Sequence, residues 1–454
     1  MEATFRYAWY GDDFTGASDT LATVAQAGLR ALLFCGVPTY EQYRRAGDLQ
    51  AFGIAGAARS MAPDAMRGEL ARVGPFLAAS GARILHYKCC STFDSAPQVG
   101  SIGAAVEALR GLAPNNPVLI VGGQPSLGRY CVFGELYAVA QRGGPVYRID
   151  RHPTMSRHPV TPMQEADLRV HLARQGLRDI GLVDVRAYEQ AGGFHAALER
   201  FELGGSDDAA QRVVLLDVAA NSQLETIGAA MRTRAQKAPL FVVGASSVAQ
   251  ALIDHWRLPR RARDGAVSAA DKPVFVLAGS LSPVTARQIE RASAYTRVPL
   301  APDALANDAA YLAAQAQRIA TMLQAGRHVL AHTTPVGEQT AIAGTSATTS
   351  RGSSIGQHGA SASLAEASAA LLRAVLRAAA VKRVGIAGGD TSSRAVQSLA
   401  AWGLEWIGQV DNGVPLLRAH ADDPAIDGLE LMLKGGQMGG EDLFNRLMGE
   451  PRSP

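Results

Sequence analysis

Short apolar runs ending in Gly, Ser, Asp or Pro alternate along the chain with longer Ala/Leu-rich stretches of helical period. The first run, TFRYAW, reads as a buried strand, and LATVAQAGL (21–29) reads as the helix that follows it. Further strands are predicted at 31–37, 51–56, 83–89, 117–123, 213–218 and 240–245, then at 273–279, 327–332, 383–389 and 429–435. Helical patterns lie between them, among others at 99–112, 247–258, 282–295 and 392–404. Strands that are apolar at nearly every position are buried on both faces, and strands joined through helices run parallel. The pattern predicts an α/β protein with largely parallel sheets flanked by helices.

At 454 residues the chain exceeds what one hydrophobic core sustains, so two domains are expected. The weakly apolar, charged stretch RLPRRARDGAVSAADKP (257–273) marks the boundary, giving domains at 1–260 and 271–454. A second polar stretch, GTSATTSRGSSIGQHGASAS (344–363), is Ser/Thr/Gly-rich and reads as a mobile surface loop.

Composition then removes several classes. The chain is 47% hydrophobic and 19% charged, with a formal net charge of only +3 and no basic run interleaved with aromatics, so nucleic acid is a poor partner. Cys35, Cys89, Cys90 and Cys131 form no C-x-x-C pair, which suits a reduced cytoplasmic protein. Residues 1–30 lack a basic segment followed by an apolar core, and no apolar stretch has membrane-spanning length, so neither export nor a membrane is expected. The P-loop, dinucleotide, H-E-x-x-H and G-x-S-x-G signatures are all missing.

The two halves carry different polar equipment. In the C-terminal half, apolar strands run directly into glycine bends: Gly279 and Ser280; Gly388, Gly389, Asp390, Thr391 and Ser392; and Lys434, Gly435 and Gly436. Glycine lets backbone N–H groups approach an oxyanion, and a helix N-terminus adds partial positive charge. Such bends also occur for structural reasons alone, but their concentration in one domain points to a phosphate-rich ligand.

The N-terminal half instead places charges at strand ends. Asp12 and Asp13 follow the first strand, Arg59 follows AFGIAGAA, and Lys88 closes RILHYK, with Ser91, Thr92 and Asp94 just beyond it. Carboxylates suit sugar hydroxyls and proton removal, whereas Arg and Lys suit an acidic group. His158 sits in the rigid SRHPVTPM loop, and Asn221 and Ser222 follow the strand VVLLDV. Singly, each has a plain structural reading: a turn carboxylate, a surface guanidinium, a solvated lysine or a packed histidine.

Taken together, DDFTGASD, YKCCSTFDS, RHPVTPM, AGS at 278–280, AGGDTSS at 387–393, DNGVP at 411–415 and LKGGQMGG at 433–440 resemble, in that order, the four-carbon acid sugar kinases. The resemblance spans nearly the whole chain. It implies an N-terminal acid-sugar-binding domain, a C-terminal nucleotide-binding domain, and ATP-dependent phosphorylation of a terminal hydroxyl on a short sugar acid. Ser280, Gly388, Gly389, Asp390, Thr391 and Gly436 fall where that family binds ATP, and Asp12 and Asp13 fall in its first acid-sugar motif. CSTFDS and HPVTPM look most like the 3-oxo-tetronate kinase branch; a branched acid such as 3-oxo-isoapionate is the alternative, with threonate and erythronate more remote. The last loop departs from many members in having Gly435 where they have serine.

The expected chemistry is in-line transfer from ATP with Mg²⁺. Asp13 is the favoured base, with Asp12 holding a neighbouring hydroxyl or the metal. Arg59 and Lys88 would bind the substrate carboxylate or keto oxygen, with Ser91, Thr92, Asp94 and His158 around them and Lys434 on the ATP phosphates. A non-catalytic sugar-phosphate or nucleotide sensor would need the glycine bends but not the carboxylate pair. The sequence sets no oligomeric state, and a homodimer is compatible with it.

Overall fold

The structure is a computed structural model that describes residues 7–140, 143–158, 160–203, 212–256, 267–334, 336, 354–436 and 438–449. The chain divides into two compact units, Met1–Arg261 and Ala262–Pro454. The linker residues 257–266 lie outside the described residues.

In the N-terminal unit the strands are β1 (Tyr7–Gly11), β2 (Ala31–Phe34), β3 (Ala51–Ala55), β4 (Ile84–Lys88), β5 (Val118–Val121), β6 (Arg129–Val132), β7 (Glu135–Val139), β8 (Val146–Arg148), β9 (Gly181–Val183), β10 (Val213–Leu216) and β11 (Leu240–Gly244). The helices are α1 (Phe14–Gln26), α2 (Tyr40–Arg45), α3 (Pro63–Ala79), α4 (Ile102–Leu109), α5 (Leu168–Ala173), α6 (Gly193–Leu203), α7 (Ser222–Lys237) and α8 (Ser247–Trp256). The main sheet runs β2-β3-β1-β4-β11-β5-β10-β9, and its strand pairs are parallel.

All five residues of β1, YAWYG, are buried, and β1 lies inside the sheet between β3 and β4. From β1 the chain goes first to β2, returns to β3 between β2 and β1, then crosses to β4 on the other side of β1. That reversal leaves a crevice at the carboxyl ends of β1 and β4, the usual ligand position in an open α/β sheet. Beyond the reach of the strand-by-helix pattern, β6, β7 and β8 form a separate antiparallel sheet. Its first hairpin turns at Phe133 and Gly134, which have φ of 55° and 85°.

The C-terminal unit contains β12 (Phe275–Ala278), α9 (Pro283–Arg291), β13 (Thr296–Pro299), α10 (Pro302–Asn307), α11 (Ala309–Gln324), β14 (Val329–His332), α12 (Ser354–Ala378), β15 (Arg383–Ala387), α13 (Gly389–Ser398), β16 (Ala401–Asp411), β17 (Val414–Ala421), β18 (Glu430–Lys434) and α14 (Leu443–Arg446). Its sheet runs β13-β14-β12-β15-β18-β17-β16; pairs from β13 to β18 are parallel, whereas β17 is antiparallel to both its neighbours. Val274, Val276, Ile289, Leu330, Met432 and Phe444 pack in its core.

Two sequence expectations change here. The helix drawn over 392–404 stops at Ser398, and Ala401 begins a long strand. Ala400 at φ 52° breaks the helix, and alternating burial from Leu404 onward, closed by Asn412-Gly413, makes an antiparallel hairpin. The polar stretch 344–363 is not all loop: α12 begins at Ser354 and packs on α11 and α13, while 344–353 lie outside the described residues. Its Ala and Ser residues are small, and the Ala content favours helix over coil.

Candidate active site

At the crevice of the N-terminal unit, backbone bonds fix the strand ends. Asp12 N–H donates to the Lys88 carbonyl (3.0 Å), and Arg59 N–H donates to the Asp12 carbonyl (3.1 Å). These bonds bring the residues following β1, β3 and β4 to one place. The Arg59 guanidinium stands among three carboxylates: Nη1 donates to Asp13 Oδ2 at 2.6 Å, Nε lies 3.7 Å from Asp12 Oδ2, and Nη2 lies 3.9 Å from Asp94 Oδ1.

The two adjacent aspartates have different surroundings. Asp13 caps α1, with Oδ1 accepting from Gly16 N–H and Oδ2 from Arg59. Both its oxygens are engaged. The Asp12 side chain is only 6% exposed, and its Oδ1 has no hydrogen-bond partner. Burial pushes the Asp12 carboxyl up to about 6; Asp13 and Asp94 add to the rise, and Arg59 and Lys88 oppose it.

Asp94 is held by two hydroxyls: Thr92 Oγ1 donates to Oδ1 at 2.5 Å and Thr161 Oγ1 to Oδ2 at 3.2 Å. Burial disfavours its charge, but Arg59, Thr92 and His158 outweigh burial and hold the carboxyl below the ordinary range. His158 Nδ1 accepts from Thr161 N–H (3.1 Å), so the RHPVTPM loop is tied to Asp94 through Thr161. Lys88 is buried, with Nζ donating to the Cys89 carbonyl at 2.7 Å. Burial would lower its pKa, yet Asp12 and Asp13 more than offset that and raise it. Ser91 lies half-buried in the turn beyond β4, and Asn221 and Ser222 are exposed where α7 begins.

Thus Asp12, Asp13, Arg59, Lys88, Thr92, Asp94 and His158 belong to one connected cluster, whereas Asn221 and Ser222 have no hydrogen bond to it among the described residues. Thr161 was missed in the sequence although it lies inside a motif singled out there. Only the fold reveals which of that loop's hydroxyls faces Asp94.

In the C-terminal unit, the glycine bends meet at the carboxyl ends of neighbouring strands β12, β15 and β18. Ser280 is buried, and its Oγ accepts from Ser282 N–H at 3.1 Å. A methyl group added to Gly279 would stand 2.5 Å from Thr391 Oγ1, and one added to Gly436 would stand 2.6 Å from Ser280 Oγ. Gly388 has φ 125°, a backbone conformation that side chains resist. It caps α13 without a side-chain hydrogen bond, and Gly389 opens that helix with free space where a side chain would be. Uncapped N–H groups at such a terminus favour an anion. Asp390 follows within α13, its side chain lying outside the described residues, and Gly435 accepts from Met438 N–H.

Lys434 does not project into this mouth. It is fully buried, and Nζ donates to Thr285 Oγ1 (2.9 Å), Gln288 Oε1 (2.6 Å) and the Gly436 carbonyl (3.3 Å). Gln288 Nε2 in turn donates to the carbonyls of Met438, Gly439 and Gly440 at 2.9–3.1 Å. Lys434 therefore braces the glycine loop from beneath, with α9 supplying the brace. A trans peptide that turns its carbonyl inward turns the following N–H outward; accordingly, Gly440 N–H meets the Asp411 carboxylate at 2.8 Å. Burial pushes the Lys434 ammonium down to about 7. Thr285 and Gln288, one helical turn apart on α9, carry no sequence signal of this role.

These features define a two-domain phosphotransferase, with charged side chains at one set of strand ends and phosphate-ready backbone at the other. Residues 7–252 match the family model of a sugar-binding N-terminal domain, and residues 275–444 match that of a nucleotide-binding C-terminal domain. The chain is 38% identical over 460 residues to a 3-oxo-isoapionate kinase of Paraburkholderia graminis, covering 96% of this chain and 93% of the relative. It is 31% identical over 445 residues to a 3-oxo-tetronate kinase of Cupriavidus necator, covering 96% and 95%. A solved Salmonella typhimurium LT2 structure shares the fold at TM-score 0.77 and 23% identity, covering 97% of this chain and 98% of that one.

The chain belongs to the four-carbon acid sugar kinase family and is an ATP-dependent kinase. No helix among the described residues is long and apolar enough to cross a membrane.

Proposed function

We propose that this kinase phosphorylates a terminal hydroxyl of a short 3-oxo sugar acid. The observation that carries the reading is the Arg59-centred carboxylate cluster, which lies in the half matching a sugar-binding domain. Asp12 is the general base in this reading, in place of Asp13. Its Oδ1 is unengaged, and a carboxyl titrating at about 6 is ionised at neutral pH yet basic enough to take a proton. Asp13 has no free oxygen; it keeps Arg59 and the first turn of α1 in place.

Asp12 accepts the proton of the acceptor hydroxyl. That oxygen bonds to the γ-phosphorus, and the bridging P–O bond breaks with its electron pair leaving on ADP. The bends at Ser280, Gly388–Thr391 and Gly436 hold the ATP phosphates, with Lys434 shaping the loop rather than touching them. Mg²⁺, when bound with ATP, neutralises charge on the transferring group. It commonly takes one or two carboxylates with phosphate oxygens and water; Asp13, with both oxygens engaged by Gly16 and Arg59, is not free to serve as one. Among the described residues no group of three or more His, Cys, Asp or Glu is placed to hold a metal ion.

Two acids stand out. The CSTFDS and HPVTPM motifs suit a 3-oxo-tetronate, whereas 38% identity to a 3-oxo-isoapionate kinase against 31% to a 3-oxo-tetronate kinase supports the branched acid. A coupled ADP-release assay over a panel containing both acids, threonate and erythronate tests the reading. Acid-dependent ADP formation with one 3-oxo acid is expected. Folded, ATP-binding protein that releases no ADP with any of them would sink it.

A further inference from the structure

Both cations so far found at the crevice of the N-terminal unit are already committed. Arg59 stands among Asp12, Asp13 and Asp94, and Lys88 donates to the Cys89 carbonyl beside Asp12 and Asp13. With three carboxylates against two cations, this cluster has little to offer the carboxylate of an incoming acid.

Arg129 is differently placed. It opens β6 just after the loop that follows β5, and its backbone exchanges hydrogen bonds with Gln124, at 2.8 and 3.2 Å. β5 pairs with β11 and β11 with β4, so this loop leaves the same carboxyl edge as Asp12 and Lys88. Arg129 Nη1 donates to the Leu127 carbonyl at 2.6 Å and, at 3.5 Å, to that of Val139. Its Nε is buried without a hydrogen-bond partner, and neither Nε nor Nη2 meets a carboxylate among the described residues. The Cys90 thiol lies within its electrostatic reach, and Cys90 Sγ is 2.9 Å from Thr92 Oγ1, which holds Asp94. Burial disfavours the Arg129 charge, Cys90 and Tyr130 offset that only in part, and no carboxylate among the described residues pairs with it.

The unfilled Nε–Nη2 edge is the one with which a guanidinium takes a carboxylate through two parallel hydrogen bonds. We propose that Arg129 binds the carboxylate of the sugar acid and so selects acids over neutral sugars. This rests on the kinase reading above. The Arg59 cluster then handles the hydroxyl end of the substrate, and Arg129 its acid end.

The test compares the best acid of the ADP-release panel with its carboxamide, in wild type, Arg129→Gln and Arg129→Lys, with thermal melts of each. Wild type should prefer the acid by about 100-fold in kcat/KM, the range of a charge-assisted bidentate contact. Arg129→Gln should lose that preference, mainly through KM for the acid, while KM for ATP and turnover of the carboxamide stay within a few-fold. Arg129→Lys keeps a charge but not the fork, and should retain part of the preference. Equal losses on acid and carboxamide would mark Arg129 as merely structural and overturn the proposal, as would a full acid preference in Arg129→Gln. If wild type does not distinguish acid from carboxamide, the proposal fails whatever the variants do. Absence of ADP release with every acid would instead remove the kinase reading itself.

Discussion

At the strand ends of the N-terminal unit the polar groups are charged side chains that pair with one another; at those of the C-terminal unit they are mostly backbone groups. Arg59 is shared by Asp12, Asp13 and Asp94, so the crevice presents a choice of protonation states. Lys434, by contrast, is braced by the neutral oxygens of Thr285, Gln288 and Gly436, so its charge shapes a loop rather than entering a proton relay. The contrast suits a division in which one unit activates a hydroxyl while the other holds phosphate oxygens that need only be stabilised.

The largest effect that sharpens this contrast belongs to Asp12. Asp12→Asn should lower kcat by about 1000-fold, within the range for a lost general base, whereas Asp13→Asn should act mainly through misplacement of Arg59 and cost less. Steady-state kinetics on both variants checks the order, and a larger loss for Asp13→Asn would return the base to Asp13.

A smaller effect is expected in the other unit. Lys434→Met and Gln288→Leu should each raise KM for ATP about tenfold and leave KM for the acid unchanged. Because the two side chains form one brace, the double variant should be no worse than the poorer single one. Additive losses would show that they act separately.

A third effect concerns stability rather than turnover. The Asp12 carboxyl titrates at about 6 in the folded protein against 3.8 in an ordinary setting, so the folded state holds the extra proton between those values. Stability therefore falls as pH rises from about 4 through 6, and at pH 7.5 Asp12→Asn should stabilise the protein by up to about 3 kcal/mol. Denaturant melts at pH 4 and 7.5 measure it; an equal change at both pH values would contradict it.

Much of this architecture is legible in the sequence because parallel strands are apolar throughout and end in recognisable residues. Asp12, Arg59, Lys88 and Asp94 stand at such ends, and the glycine bends stand at others. The β16–β17 hairpin is hidden because Leu399–Leu404 continues a helical spacing until Ala400 turns left-handed. The different states of Asp12 and Asp13 are hidden because they depend on which oxygen Gly16 and Arg59 occupy. Lys434 looks like a phosphate ligand in sequence, and only its burial under α9 reveals a brace. Arg129 has no motif at all; its interest comes from an unfilled edge.

The most direct test of the division between the units is titration of ATP into Asp12→Asn protein, read by calorimetry beside its turnover. The account predicts ATP affinity within about twofold of wild type together with turnover reduced about 1000-fold, as expected for loss of an interaction made only in transfer. ATP affinity falling in step with turnover would contradict it.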